Sequence, residues 1–297
     1  MQQNELHDRV VLITGGIGKT TATELSRLGA TVVVVGRDRV RGAAAVAEIV
    51  QASGNRNIEL MLADLSSQQA IRELADAFIR RHGRLHVLIN NAGGMYKQRT
   101  TTVDDIEATI AVNHLAPLLL TLLVLPIMLD SAPARIINVT SSMHARARVN
   151  LDDLHSQARY DGMNAYAQAK LFNVVTTYEL APHLAGTGVT ANVANPGGAD
   201  TPMSRNGSRL VALVMKLGRF TTHKAARSSV YLASSPAVAD HTGVYVTYNA
   251  SLGHSSRASY DRTLAQEVWN RSLPLIGWSP QACDQLMRAA HDTLARS

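Results

Sequence analysis

The sequence predicts a doubly wound α/β fold, a mainly parallel seven-stranded sheet with helices on both faces. Three observations predict it. Short runs rich in β-branched residues alternate with helical stretches through most of the 297 residues. The runs are apolar throughout and lack a period of two, as strands covered on both faces require. The spacing between runs leaves room for a helix each time, so neighbouring strands are parallel and joined by right-handed crossovers.

Val10 to Thr14 reads as the first strand and Lys19 to Leu28 as the first helix, ended by Gly29. Thr31 to Val35 follows, then a helix from Val40 to Ala52 that ends near Gly54. The third pair is Ile58 to Leu62 and Gln68 to Arg81, with Gly83 behind it. A glycine just past a helix supplies the left-handed residue that closes it. His86 to Asn90 is the fourth strand, and a long helical region runs from Val103 to Leu129. Arg135 to Thr140, a helix from Ala165 to Leu184, Gly188 to Ala194, and Val244 to Tyr248 complete the alternation. No repeat or low-complexity linker interrupts it, so 1–297 reads as one domain with its core over 9–248. Two stretches lie outside the pattern. About 196–223 is a long insert that opens with Pro-Gly-Gly and continues into apolar Leu210 to Met215. In the tail, 250–297, Leu264, Val268, Trp269 and Leu273 share one helical face and are expected to pack on the core.

Composition narrows the function. Hydrophobic residues make up 46% and charged residues 18%, which excludes a disordered chain, a collagen-like fibre and a membrane-embedded bundle. The single cysteine, Cys283, cannot form an intrachain disulfide, and a reducing cytoplasm is the expected location. Met1 to Glu5 is polar, unlike the start of a secretory signal. The longest apolar run, Leu115 to Leu129, is short for a bilayer and holds Pro117 and Pro126, so a buried helix is expected and no integral membrane segment. Lysine and arginine number 29 against 23 acids, a net charge of +6. The arginines are scattered and aromatics are only 4%, which argues against nucleic acid and suits a small anionic ligand such as a phosphorylated cofactor.

Ligands of open α/β sheets bind beyond the carboxyl ends of the strands, where the strand order reverses. After the first strand stands Thr14-Gly15-Gly16-Ile17-Gly18-Lys19. Glycines at a strand-to-helix turn let the backbone approach a pyrophosphate, which the free amides of the helix start favour. Gly18-Lys19-Thr20 imitates the end of a P-loop, but that motif needs glycine where Ile13 stands. After the second strand, Gly36-Arg37-Asp38 puts a small residue and an arginine where a ribose 2′-phosphate would sit, which favours NADP(H) over NAD(H). Asp64, in Ala63-Asp64-Leu65, is placed to accept from an adenine amino group or to cap the next helix.

Tyr166 and Lys170 are four residues apart on a helix and so share a face. A free phenol, with a pKa of about 10, is a poor acid–base group near neutrality. A lysine cation within reach favours the phenolate. Ser142, in the Ser141-Ser142 pair closing the fifth strand, is placed to hydrogen-bond a substrate oxygen as its charge changes.

Over about Arg9 to Tyr248 the chain resembles the short-chain dehydrogenase/reductase family, whose domain is of the Rossmann type. The motifs carrying the resemblance are Asn90-Asn91-Ala92-Gly93, Asn113 in Val112-Asn113-His114, Ser142, Tyr166 with Lys170, and Pro196-Gly197. The Ser142 to Tyr166 separation and the long tail look like the retinol-dehydrogenase-like branch. The resemblance implies Tyr166 as general acid–base, Lys170 lowering its pKa and holding the nicotinamide ribose, Ser142 positioning the carbonyl or alcohol, and Asn113 anchoring a relay water. It implies that Asn91, Ala92 and Gly93 line the adenosine side and that Pro196, Gly197, Ala199 and Thr201 wrap the nicotinamide end. No metal is implied. It implies further that the insert over about 196–223 forms an apolar lid, which suggests a lipophilic alcohol or ketone. Relatives often associate through the Asn113 and Tyr166 helices, so a homodimer or homotetramer is expected unless the tail covers that surface.

One motif departs from the family. Its first loop reads TGxxxGxG, whereas here Thr14-Gly15 runs directly into Gly16-Ile17-Gly18, three residues shorter. A turn shortened in this way draws the helix start towards the strand, across the usual phosphate path. It leaves open a cofactor-independent isomerase, dehydratase or cyclase on the same scaffold, and a catalytically silent binding member.

Overall fold

A computed structural model of the chain describes residues 5–15, 18–197 and 222–294. Five strand–helix units come first: β1 (Val10–Thr14), α1 (Gly18–Arg27), β2 (Thr31–Gly36), α2 (Arg39–Ser53), β3 (Ile58–Leu62), α3 (Gln68–His82), β4 (Val87–Asn90), α4 (Ala108–Asp130), β5 (Ala134–Val139) and α5 (Gly162–His183). After them come β6 (Val189–Ala194), α6 (Thr222–Ser234), β7 (Tyr245–Val246), β8 (Leu252–Gly253), α7 (Arg262–Leu275) and α8 (Pro280–Leu294). The sheet order is β3-β2-β1-β4-β5-β6-β7-β8, so the order reverses between β1 and β4. Every pairing is parallel except β7 with β8.

Seven strands were expected and eight are present among the described residues. The added strand is a two-residue antiparallel return, Val246 opposite Leu252, with Ala250 at φ 58° in the turn. It is too short to register as an apolar run, and β7 itself is shorter than the stretch from Val244 to Tyr248.

The continuous apolar strands have a simple cause. Successive side chains point to opposite faces, and both faces are covered. Val11, Ile13, Val32 and Val34 meet Ala22, Leu25, Ile49 and Leu232 on the face covered by α1, α2 and α6. Leu12, Val33, Leu88 and Ile136 meet Ile71, Phe78, Leu119 and Phe172 on the face covered by α3, α4 and α5. Gly54 (φ 74°) and Gly83 (φ 63°) close α2 and α3 in the left-handed conformation, as the sequence predicts. Asp64, one reading of which was a helix cap, does not cap α3. Ser67 accepts from the Ala70 amide instead, and Asp64 binds Ser66 in a local turn.

The helix expected from Val103 begins at Ala108. Both oxygens of the Glu107 carboxylate are used at its start, accepting from the amides of Thr109 (2.8 Å) and Ile110 (3.0 Å). Asp104 and Asp105 favour the preceding turn, where Asp105 takes φ 58° and Val103 is 81% exposed. Within α4, residues Ala111–Leu115 widen into a π-turn in which the Ala116 amide donates to the Ala111 carbonyl, just ahead of Pro117, which has no N–H to give. At 23 residues α4 is long and apolar enough to cross a membrane by length and composition, yet 83% of its apolar window is buried inside the domain. The tail behaves as its pattern predicts: Val268, Trp269 and Leu273 of α7 join the core, with Cys283 and Met287 of α8 beside them. These two helices lie against α5 and α4, the surface through which association was expected.

Candidate active site

The carboxyl ends of β1 and β4 are stitched together at the point where the strand order reverses. The Thr14 hydroxyl accepts from the amides of Asn91 and Ala92 (both 3.0 Å), and the Asn91 side chain donates to the Thr14 carbonyl (2.7 Å). Gly15, at φ 85°, lies so close to the β4 loop that a Cβ would stand 2.6 Å from the Ala92 Cα. The Gly18 amide, at the start of α1, donates to the Gly15 carbonyl (3.1 Å). Gly16 and Ile17 lie outside the described residues.

Beyond Ala92 the chain passes the π-turn of α4. A Cβ on Gly93 would meet the Asn113 Oδ1 at 2.7 Å and the Lys170 Nζ at 3.3 Å. Asn113 is fully buried and its amide is engaged with backbone: it donates to the carbonyls of Gly94 and Thr109 (both 2.7 Å) and accepts from the Gly94 amide (3.1 Å). These bonds hold the Gly93-Gly94 loop beside Lys170.

Tyr166 and Lys170 project from the first turns of α5, which begins at Gly162 because Asp161 caps the amides of Met163 and Asn164. Lys170 is 3% exposed, donates to the Val139 carbonyl at 3.0 Å, and lies 5.8 Å from the centre of the Tyr166 ring. Burial pulls its pKa down to about 8. Burial pushes the Tyr166 phenol up, opposed by a hydrogen bond with the Ser141 side chain.

The serine expected beside Tyr166 also shifts by one. Ser141 is within hydrogen-bonding reach of the phenol. Ser142 is exposed at the start of a 3₁₀ turn (Ser142–Arg146), its hydroxyl accepting from the Asn195 side chain at 3.1 Å. On the adenosine side, Arg37 and Asp64 are exposed, with Leu65 half-buried. Tyr96, which the sequence reading passed over, is half-buried within electrostatic reach of both, and burial raises its pKa. Its backbone carbonyl accepts from the Tyr160 hydroxyl at 3.0 Å. An aromatic three residues past the Asn-Asn-Ala-Gly run was the available signal. Pro196 is buried and Gly197 takes φ 73°, but Ala199, Thr201 and most of the expected lid lie outside the described residues.

The residues at the α5 end suit a nicotinamide ribose. Lys170 is a buried cation whose described hydrogen-bond partner is one carbonyl, so the remaining N–H donors suit a sugar diol. Gly93 keeps the backbone beside it clear of a side chain.

The short chain dehydrogenase family model matches residues 9–210. The chain is 38% identical to mouse retinol dehydrogenase 12 over 278 residues, 92% of this chain and 88% of that protein. To human polyprenol dehydrogenase it is 36% identical over 283 residues, covering 91% and 86%. A solved structure from Mycobacterium paratuberculosis, described as a putative uncharacterized protein, superposes with a TM-score of 0.74 at 31% identity, covering 92% of this chain and 95% of that one. The chain therefore belongs to the short-chain dehydrogenase/reductase family, an NAD(P)-dependent class of oxidoreductase. Within that class it is retinol-dehydrogenase-like.

Proposed function

We propose that the protein interconverts a lipophilic alcohol and its aldehyde or ketone, with NADP(H) as the preferred cofactor. The observation that carries this reading is the placement of buried Tyr166 against both Lys170 and half-buried Ser141, with Lys170 beside Gly93. The similarity to retinol and polyprenol dehydrogenases supports a lipophilic alcohol. Arg37 supports NADP(H), being an exposed cation at the end of β2 where a carboxylate would select the unphosphorylated ribose. Nothing in the comparisons favours a cofactor-independent activity.

In this reading the nicotinamide supplies or accepts the hydride. Tyr166 delivers the phenolic proton to the substrate oxygen during reduction and takes it back during oxidation. Ser141 holds that oxygen through its hydroxyl, and Lys170 binds the ribose with the donors not given to Val139. Asn113 keeps the Gly93-Gly94 loop in place against Lys170. A phenol raised by burial is protonated at neutral pH, which favours the reductive direction there, while oxidation gains as pH rises.

Titration with NADPH is the direct test. Binding is expected to shift the reduced cofactor's fluorescence and to raise the unfolding temperature in proportion to cofactor concentration. Absence of both effects at millimolar NADPH refutes the cofactor assignment. The choice of serine is tested separately. Ser141→Ala is expected to cost on the order of 100-fold in kcat by removing a donor to the reacting oxygen, whereas Ser142→Ala changes kcat less than about threefold. A large loss in Ser142→Ala with Ser141→Ala near wild type would return the role to Ser142.

A further inference from the structure

His144 lies in the 3₁₀ turn directly behind the two serines, and none of the steps above uses it. It is 4% exposed. Its Nδ1 stands 2.7 Å from the Ser141 carbonyl, and its Nε2 stands 3.0 Å from the Ser256 amide nitrogen. A carbonyl only accepts and an amide N–H only donates. The ring is therefore neutral, with its proton on Nδ1 and a lone pair on Nε2 facing Ser256.

We propose that His144 is a positioning residue: as a neutral imidazole bridging the Ser141 carbonyl and the Ser256 amide, it aims the Ser141 hydroxyl at the reacting oxygen and couples that aim to the C-terminal extension. The inference rests on the reading of Ser141 given above. Three features carry it. The bridge spans 112 residues of sequence and joins the end of β5 to the segment just beyond β8, outside the expected core of 9–248. That segment is itself anchored, since the Ser255 hydroxyl is bonded to the hydroxyls of Tyr178 on α5 (2.8 Å) and Ser259 (2.6 Å). A second strut runs alongside: the Asn195 amide donates to both the Ser142 hydroxyl (3.1 Å) and the Tyr245 hydroxyl (2.6 Å), and the Tyr245 ring lies 5.7 Å from that of His144. The turn bearing the serines is thus gripped from β6, β7 and the tail.

A bridge of this type works in one protonation state. A proton on Nε2 would set two donors against each other at Ser256. The titratable group facing the ring is the Tyr245 phenol on β7, whose own pKa burial raises. Among the described residues no charged side chain contributes to the shift of His144; burial lowers it, and the bond to Ser141 opposes that. Reduction should accordingly fade as the pH falls below the ordinary histidine range. Tyr166 cannot produce that loss, because acid keeps it in the proton-donating form.

The test follows aldehyde reduction from pH 5 to 8 in the wild type, His144→Asn and Ser256→Pro. Asparagine keeps a donor near Nδ1 and loses the acceptor. Proline removes the Ser256 N–H, together with a buried hydroxyl that has no hydrogen-bond partner among the described residues, at a residue whose φ of −66° already suits it. Both variants are expected to lose on the order of 10- to 100-fold in kcat, to bind NADPH with wild-type affinity, and to lack the acid limb of the wild type. The double variant should fall no further than the worse single one. NADPH-dependent thermal protection reports that each variant is folded, and if one is not, the other decides. An active wild type with both folded variants within twofold of its kcat, or with the acid limb unchanged in His144→Asn, overturns the proposal alone. A wild type with neither NADPH binding nor reductase activity overturns the parent reading and this one together.

Discussion

Tyr166→Phe is expected to lower kcat by about 1000-fold, within the usual range for losing a general acid–base, while NADPH affinity and unfolding temperature stay close to wild type. The substitution removes one oxygen from a ring that is 9% exposed, and phenylalanine refills the same space. The hydroxyl's described partner is the Ser141 side chain, so the loss falls on the chemistry and not on packing. Steady-state kinetics in both directions, beside an NADPH titration, separate these effects. Residual activity within tenfold of wild type would mean that another group moves the proton. The pH profile adds a sign: because burial raises the phenol's pKa, wild-type oxidation should still be climbing above pH 8. The phenylalanine variant's residual oxidation should lack that climb.

The contrast between Tyr166 and its neighbours indicates what a sequence can convey about such a site. The pairing of Tyr166 with Lys170 was legible because the helical period puts residues four apart on one face, and the crevice was legible because strand order and β-branched runs are regular. The sign of the phenol's shift was not legible. It depends on how deep α5 sits beneath the β5 turn, and desolvation is a property of the assembled layers. Ser141 and Ser142 have the same chemistry and differ only in backbone angles. Ser141 remains extended (φ −149°, ψ 152°) as β5 runs out, whereas Ser142 already belongs to the 3₁₀ turn. Asn113 was found through its motif, but its engagement with Gly94 depends on the π-turn, which has no periodic signature in the sequence. The tail shows the opposite case. Its apolar stripe was visible as a packing surface, and its placement over α4 and α5 is what such a stripe demands once the sheet's faces are filled.

Lys170→Met is expected to stabilise the protein while abolishing turnover. In the folded state the Lys170 cation is fully enclosed, and burial lowers its pKa from the ordinary 10.5 to about 8. Below pH 8 both the folded and unfolded chains carry the proton, and folding must desolvate it, a cost on the order of 3 kcal/mol at about 1.4 kcal/mol per pKa unit. Between pH 8 and 10.5 the unfolded chain keeps a proton that the folded chain has shed, so wild-type stability rises with pH across that window and the penalty is gone above it. Methionine has nearly the same length and no charge, and it leaves one buried acceptor, the Val139 carbonyl, without its donor. The net gain at pH 7 is therefore about 2 kcal/mol. Urea unfolding at pH 7 and pH 10 should show the gap between variant and wild type narrowing as the pH rises. A variant less stable than wild type at pH 7, or a gap that does not change with pH, would show that the cation is compensated in the folded chain. Catalytically the same substitution removes the group proposed to grip the ribose, so NADPH-dependent thermal protection should weaken along with kcat. A lysine that costs folding energy in a crevice otherwise sealed by Gly93 and Asn113 is explained by what it binds there, because a methionine would serve the fold better.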